Sequence, residues 1–274
     1  MRPALFLVLA SLAAAAPLRT HAQQLPTYAR ALGDTIRYRE ITKSQSWLRL
    51  PQDSILITSL HDATIALTFL ARDTARAWYE ALELDVIEPN ERRRPATTAA
   101  LYLPFVLAFD ARGHVTTVSA PEFPASFGGV SDLTKQFYEF FPELPPRALT
   151  IGLTWADTVV RSDSGNGKYF RSTIIGRYTV AGDTVVQGEP ATEIRANQSI
   201  VYEAGSPVPG KPLRTDTRLA GEANQVVLFA VGSGRMLRKQ RSGVLRGTLN
   251  YVGGARPIAI PQSYAYDNTV EIVR

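Results

Sequence analysis

The sequence predicts a mainly β protein: an antiparallel curved sheet or half-barrel, single or double, with one aromatic helix packed on the concave face. Three observations carry that expectation. Runs rich in β-branched and aromatic residues alternate with a period of two, as in TIRYREI (35–41). Turn residues punctuate these runs, with 19 Gly and 18 Pro in 274 residues. Only SDLTKQFYEFF (131–141) has helical spacing together with start and stop signals.

In chain order, TIRYREI alternates Ile36 and Tyr38 with Arg37 and Arg39 before Ile41, the pattern of a half-buried strand. SILITSL (54–60) and ATIALTFL (63–70) predict a hairpin or one bent ribbon around His61 and Asp62. Residues 72–89 fit either period, and Val86, Ile87 and Pro89 favour strand. NERRRP (90–95) reads as a charged loop. TTAALYLPFVLAFD (97–110) is apolar, and Pro104 places it at an edge or bulge because proline lacks the ladder amide. Asp110 to Gly113 form a turn before HVTTVSA.

For the helix over 131–141, Ser131 is the expected cap, Asp132 sits at the positive end of the dipole, Lys135 and Glu139 pair at i and i+4, and Pro142 ends it. Leu133, Phe137, Phe140 and Phe141 then form a stripe that a sheet face must cover. A proline-rich turn leads to a strand carrying Trp155, and RSDSGNGK (161–168) reads as a flexible loop. Beyond it, 169–180 and 184–198 predict a hairpin turning at Gly182, followed by strands over 215–231, 236–252 and the closing IPQSYAYDNTVEIVR. A faint echo between Phe109, Gly113, Val115 and Phe229, Gly234, Leu237 raises a duplication of halves 23–160 and 161–274 within a single domain, 23–274.

The opening residues place Arg2 before an apolar run from Ala4 to Ala16 and small residues at Thr20 and Ala22, a secretory signal over 1–22. At about thirteen residues the run falls short of the roughly 20 of a membrane-spanning helix, and no transmembrane span is expected after its removal. Export to the periplasm or the extracellular space follows. The chain has no Cys, which excludes a disulfide framework, a thiol nucleophile and an acylated lipoprotein cysteine. A net charge of +5, about +3 without Arg2 and Arg19, demands no nucleic-acid partner.

No motif carries chemistry. Asp110, His114 and Ser119 are the residue types of a hydrolytic triad, but His114 and Ser119 are an odd number of positions apart and fall on opposite faces of a strand. His61 and His114 have no metal-ligand spacing around them. DSGNG (163–167) lacks the acidic ligands of a calcium loop, SDSGNGK lacks the first Gly and the Ser or Thr of a phosphate loop, and GSG (232–234) is a lone turn. No cofactor is implied. The basic residues Arg235, Arg238, Lys239, Arg241 and Arg246 divide by alternation into Arg235, Lys239 and Arg241 on one face and Arg238 and Arg246 on the other. They read as a solvated edge that discourages strand addition, with anionic lipid or polysaccharide as the alternative contact.

FPELPPRALTIGLTWADT (141–158) resembles a signature of uncharacterised secreted bacterial β-rich proteins: a Leu-Pro pair, a Gly, a Trp three positions later, then Asp-Thr. Leu153 stands where those proteins often carry an acidic residue. In architecture the chain is also similar to the periplasmic lipoprotein-carrier group, whose incomplete barrels hold acyl chains beneath a helical lid; that likeness implies no particular ligand residues.

The expectation is therefore an exported, non-enzymatic protein that binds an apolar or amphipathic envelope molecule, such as a lipid, with Phe137, Phe140, Phe141 and Trp155 lining or closing the site. The alternative is an envelope scaffold or protein-interaction module with a filled core, and a third class is a hydrolase using Asp157, Asp163 and Glu193.

Overall fold

The computed structural model describes residues 25–28, 32–110, 112–124, 127, 132–165, 167–208, 210–254 and 257–273. The expected signal at 1–22 and the expected helix cap at Ser131 lie outside them. Twelve strands form one antiparallel sheet: β1 Thr35–Arg49, β2 Ser54–Ala71, β3 Thr74–Glu88, β4 Glu91–Arg93, β5 Phe105–Phe109, β6 Val115–Ser119, β7 Thr154–Gly165, β8 Lys168–Val186, β9 Glu189–Pro207, β10 Arg214–Ala230, β11 Arg235–Val252 and β12 Ile258–Val273.

The order across the sheet is β6-β5-β3-β2-β1-β12-β11-β10-β9-β8-β7, with β4 pairing β3 off this path. The chain therefore builds outward from β1 to one edge at β6, crosses to the opposite edge at β7, and returns strand by strand until β12 pairs β1. Glu40 lies opposite Val270 in that last ladder. The segment between β6 and β7, hereafter the strap, has to span from one edge to the other, and it does so across the inner face, where its aromatic residues join the core.

Alternation sets the two faces. In β8 and β9 the buried positions include Ile174, Tyr178, Val180, Ile194, Ala196 and Ile200, whereas Arg171, Arg177, Arg195 and Asn197 are exposed. Curvature is tight enough that backbones crowd. A Cβ added at Gly247 would stand 1.9 Å from the carbonyl oxygen of Arg218, so only glycine fits there.

The ladder decides or corrects several sequence expectations. Of the two forms expected for 54–71, it selects the single ribbon: β2 runs through His61 and Asp62 because both sides of that stretch have strands to pair with. Within NERRRP, in place of a charged loop, Glu91–Arg93 is the short strand β4, held where Arg92 and Arg94 reach Asp85 at 2.6 and 2.8 Å. Strands β7 and β8 extend through most of the expected 161–168 loop. Gly182 sits at a bulge inside β8, and the hairpin turns instead at Gln187 and Gly188, both with positive φ. The basic cluster belongs to β11, a strand paired on both sides, so it is no sheet edge.

The largest correction concerns the aromatic helix, since the described residues contain no α-helix. Leu133–Lys135 make a 3₁₀ turn, and turns continue to Phe140. Lys135 bonds Asp132 at 2.7 Å, and Glu139 faces Arg241 in place of the expected i,i+4 partner. The strap carbonyls find donors on distant segments: Arg161 Nε donates to Tyr138 O at 3.1 Å, Lys239 Nζ to Glu139 O and Phe140 O at 2.6 and 2.9 Å, and Tyr28 Oη to Pro142 O at 2.7 Å. A chain whose carbonyls are satisfied from outside has no need of the i to i+4 ladder. Packing on the concave face does occur, with the strap's Leu133, Phe137, Phe140, Phe141 and Leu144 in one core cluster with Tyr38, Ile65, Phe105, Phe109 and Phe229.

Candidate functional site

Along the inner face the sheet divides into two zones. At one end the strap aromatics fill the interior: Phe137 stacks edge-on to Phe105 at 5.0 Å, Phe140 to Tyr38 at 5.5 Å, and Phe141 to Tyr28 at 5.4 Å. At the other end the inward positions of β1, β2, β11 and β12 are Thr42, Ser44, Ser59, His61, Arg241, Tyr264, Tyr266 and Asn268, and a cavity of about 400 Å³ opens between them and the strap. That volume lies within the range of about 300 to 1,000 Å³ common for small-molecule sites.

Register places the polar wall. Thr42 lies opposite His61 and Ser44 opposite Ser59 in the β1–β2 ladder, and Thr42 and Ser44 lie opposite Asn268 and Tyr266 in the β1–β12 ladder. Ser44 and Ser59 are hydrogen-bonded at 2.6 Å, and Asn268 Nδ2 donates to Glu40 at 2.7 Å and to Thr42 at 2.8 Å. Tyr264 and Tyr266 stack with centroids 5.8 Å apart. Apolar surface is supplied by Leu84 and Val86 of β3, next to His61 and Ser59 on the same face, and by Phe140 and Phe170, while Asp132, Lys135, Gln136, Tyr138 and Glu139 line the strap side.

Three charged residues fix the strap above this cavity. Lys239, buried, bonds the two strap carbonyls noted above, and burial lowers its pKa to about 8 although Glu40 pulls the other way. Arg241 pairs with Glu139, and Glu40 accepts from Gln136. Alternation correctly put Lys239 and Arg241 on one face; the reading as a solvated edge fails because that face is the interior. The signal was available in their phase, since both lie an even number of residues from the apolar Leu237 and Leu245, which are buried.

His61 completes the polar wall. Its Nε2 is buried and has no hydrogen-bond partner among the described residues, and burial lowers the ring's pKa, so the imidazole is neutral near pH 7.

Of the four residues expected to line a site, the structure brings only Phe140 to the cavity. Phe137 and Phe141 are buried in the aromatic core. Trp155 lies on β7, stacked on Tyr178 at 5.0 Å and an interplanar angle of 9°, and does not line the cavity. Thus the three phenylalanines meet as a plug, and Trp155 packs against the margin of the same core.

The triad residues do not converge. Asp110 Oδ1 accepts the backbone amides of Arg112 and His114 at 2.8 and 2.9 Å, as a turn residue does, and Ser119 is exposed at the end of β6. His114 instead meets Glu143 at 2.7 Å and Arg161 Nη1, which lies 2.6 Å from its Nε2. These contacts cross between the two sheet edges, and nothing in local spacing could have shown them. Asp157 holds Arg112 at 2.5 Å and Glu193 holds Arg195 at 2.6 Å, on separate strands. Asp163, six residues from Asp157 on β7, is about 20 Å along the strand. No group of three His, Asp or Glu residues able to hold a metal occurs among the described residues.

No family model and no curated protein matches the chain. Solved structures with some likeness include the hypothetical lipoprotein YmcC from Escherichia coli, 11% identical over 82% of this chain and 83% of that one, with a TM-score of 0.25. A loop-deletion mutant of OmpT, an outer membrane protein of Vibrio cholerae, is 9% identical over 88% and 99%, TM-score 0.17. An outer membrane channel from Pseudomonas putida is 10% identical over 90% and 98%, TM-score 0.20. At such TM-scores the likeness carries neither function nor ligand to this chain. No helix among the described residues is long and apolar enough to cross a membrane. Outward positions of β8 and β9 carry exposed Arg171, Arg177, Arg195 and Asn197 together with exposed Ile175 and Val185.

Proposed function

We propose that the protein is an exported, non-enzymatic binding protein that holds an amphipathic envelope molecule in the cavity between the strap and the inner face of β1, β2, β11 and β12. The observation that carries this reading is the cavity itself: about 400 Å³ of space in which apolar Leu84, Val86, Phe140 and Phe170 share the lining with the hydroxyls of Thr42, Ser44, Ser59, Tyr264 and Tyr266, beside an interior filled with aromatic side chains. A purely apolar ligand fits less well, because it would bury the polar wall without partners. Binding is favoured over catalysis because the cavity's charged groups are already engaged: Glu40 with Gln136 and Asn268, Glu139 with Arg241, Lys239 with strap carbonyls.

The test is mass spectrometry of the protein purified from its native host under non-denaturing conditions. One small amphiphile is expected at near-stoichiometric occupancy, absent from a Ser59→Phe variant in which the new ring fills the cavity and the circular dichroism spectrum is retained. Equal ligand content in the two proteins, or none in either, overturns the proposal.

A further inference from the structure

We infer that the group recognised at the polar end of this cavity is a neutral sugar ring. The inference deepens the binding reading above and rests on it.

Charge is the first consideration. The ionisable side chains on the cavity wall are Glu40, Asp132 and Glu139 against Lys135, Lys239 and Arg241, with His61 neutral. Each of the six has a partner inside the protein, Lys135 and Asp132 meeting each other at 2.7 Å. An anionic head would meet Lys239 and Arg241 already neutralised or held by the strap, with only Arg241 Nε open to it, and a cationic one would have to draw Glu40 from Gln136 and Asn268, so the site offers no net charge to an ionic ligand.

Neutral groups with spare capacity make up the rest of the wall. Thr42, Ser44 and Ser59 are hydroxyls, each able to donate once and accept twice, and their contacts to Asn268 and to one another leave acceptor sites open. His61 Nε2 and Arg241 Nε are buried without partners among the described residues. An alkyl chain there would leave both unsatisfied. A ring of hydroxyls satisfies donors and acceptors in either sense, so it can serve both the Arg241 N–H and the His61 nitrogen.

The Tyr264–Tyr266 pair supplies the remaining feature. The two phenol rings bring apolar carbon and hydroxyl rims to the cavity wall, with the Arg241 guanidinium over Tyr266 at 5.6 Å, and a pyranose has a matching mix of surfaces, C–H groups edged by hydroxyls. Sites built to hydrogen-bond hydroxyls discriminate strongly against ligands that lack them.

The sugar could belong to a glycolipid or to a free saccharide, and four probes separate these sources. Binding of octyl glucoside below its micelle concentration, methyl glucoside, octyl phosphate and octanoate is measured by calorimetry on ligand-stripped protein. Octyl glucoside is expected to bind at least tenfold more tightly than octyl phosphate or octanoate. Methyl glucoside binding within tenfold of octyl glucoside points to a free saccharide and overturns the amphiphile reading while the sugar inference stands; a larger gap points to a glycolipid and supports both. A His61→Phe variant, which keeps the ring shape and removes Nε2, is expected to lose at least tenfold in affinity for the glucosides only, and Ser59→Ala to lose severalfold, both with unchanged melting curves. Octyl phosphate or octanoate binding as tightly as octyl glucoside overturns the sugar inference while leaving the amphiphile reading standing. Binding of none of the four overturns both.

Discussion

Arg112, in the β5–β6 hairpin at one end of the strand order, places a guanidinium nitrogen 2.5 Å from the carboxylate of Asp157 in β7, the strand at the other end. His114 and Arg161 meet across the same gap, with Glu143 of the strap between them. The sheet thus brings its edges together through side chains, without a ladder between β6 and β7. Removing one partner leaves a half-buried charge facing the seam, so Asp157→Asn and Arg112→Met should each destabilise the fold by about 1 to 2 kcal/mol. A double-mutant cycle by urea unfolding is expected to give a coupling of about 1 kcal/mol, and hydrogen exchange should quicken in β6 and β7 first. Strictly additive single and double variants would show that the edges do not communicate here.

Lys239 gives a pH signature. Its buried amine has a pKa of about 8, against about 10.4 when exposed, and it faces Glu40 of β1, Glu139 of the strap and Arg241 of its own strand. Between pH 8 and 10 the unfolded chain holds a proton here that the folded chain releases, so stability due to this residue rises with pH, by about 2 kcal/mol across that window. The penalty for the charged amine is fully present below about pH 7. Buried tyrosines act oppositely above about pH 10: burial raises Tyr38 and pushes Tyr266 up to about 12, so the folded state keeps protons that the unfolded chain loses. Denaturant unfolding of the wild type and of Lys239→Met at about pH 7.5, 8.5 and 9.5 should show the rise only in the wild type, and parallel profiles would refute it.

Gly113 has a φ of +83°, and a Cβ there would lie 2.1 Å from the ring of Tyr28, whose hydroxyl bonds Pro142 O. Gly113→Ala combines left-handed backbone strain, about 1 to 2 kcal/mol, with displacement of a buried ring that anchors the strap. A loss of at least about 2 kcal/mol in stability is expected. A melting temperature unchanged from wild type would mean that Tyr28 moves aside freely.

Phe137 is 1% exposed and contacts Phe105 and Phe140, so Phe137→Ala should cost about 3 to 5 kcal/mol. Trp155 stacks on Tyr178 at the margin of the sheet and is half-buried, and Trp155→Ala should cost less than Phe137→Ala. The reverse ranking by equilibrium unfolding would place the core at β7 instead of beneath the strap.

Much of the sheet was legible because a period of two is a local property. Val86, Ile87 and Pro89 correctly favoured strand for 72–89, most of which is β3, and alternation assigned Lys239 and Arg241 to one face of β11. Hairpin positions were less secure: Gly182 looked like a turn, yet the ladder absorbs it as a bulge because β8 goes on pairing with β9 past it. The site was mostly hidden. Phe140, one of the four residues expected at a site, lines the cavity, whereas Glu40, His61, Arg241 and Asn268 come from four strands whose adjacency depends on β12 pairing β1.

What the chain determines by itself is the strands and the two faces of each, since both are written in neighbouring residues. What only the tertiary structure decided is the form of the strap, the polarity of the interior and the cavity. Residues 131–141 have helical spacing, but Lys239, Arg161 and Tyr28 supply donors to carbonyls of the strap from distant segments, and those bonds replace the helical ladder. An inward charge reads the same in sequence as an outward one until the face it shares is closed, and here that closure is set by residues far apart in the chain, such as Lys239 on Glu139 and Tyr28 on Pro142.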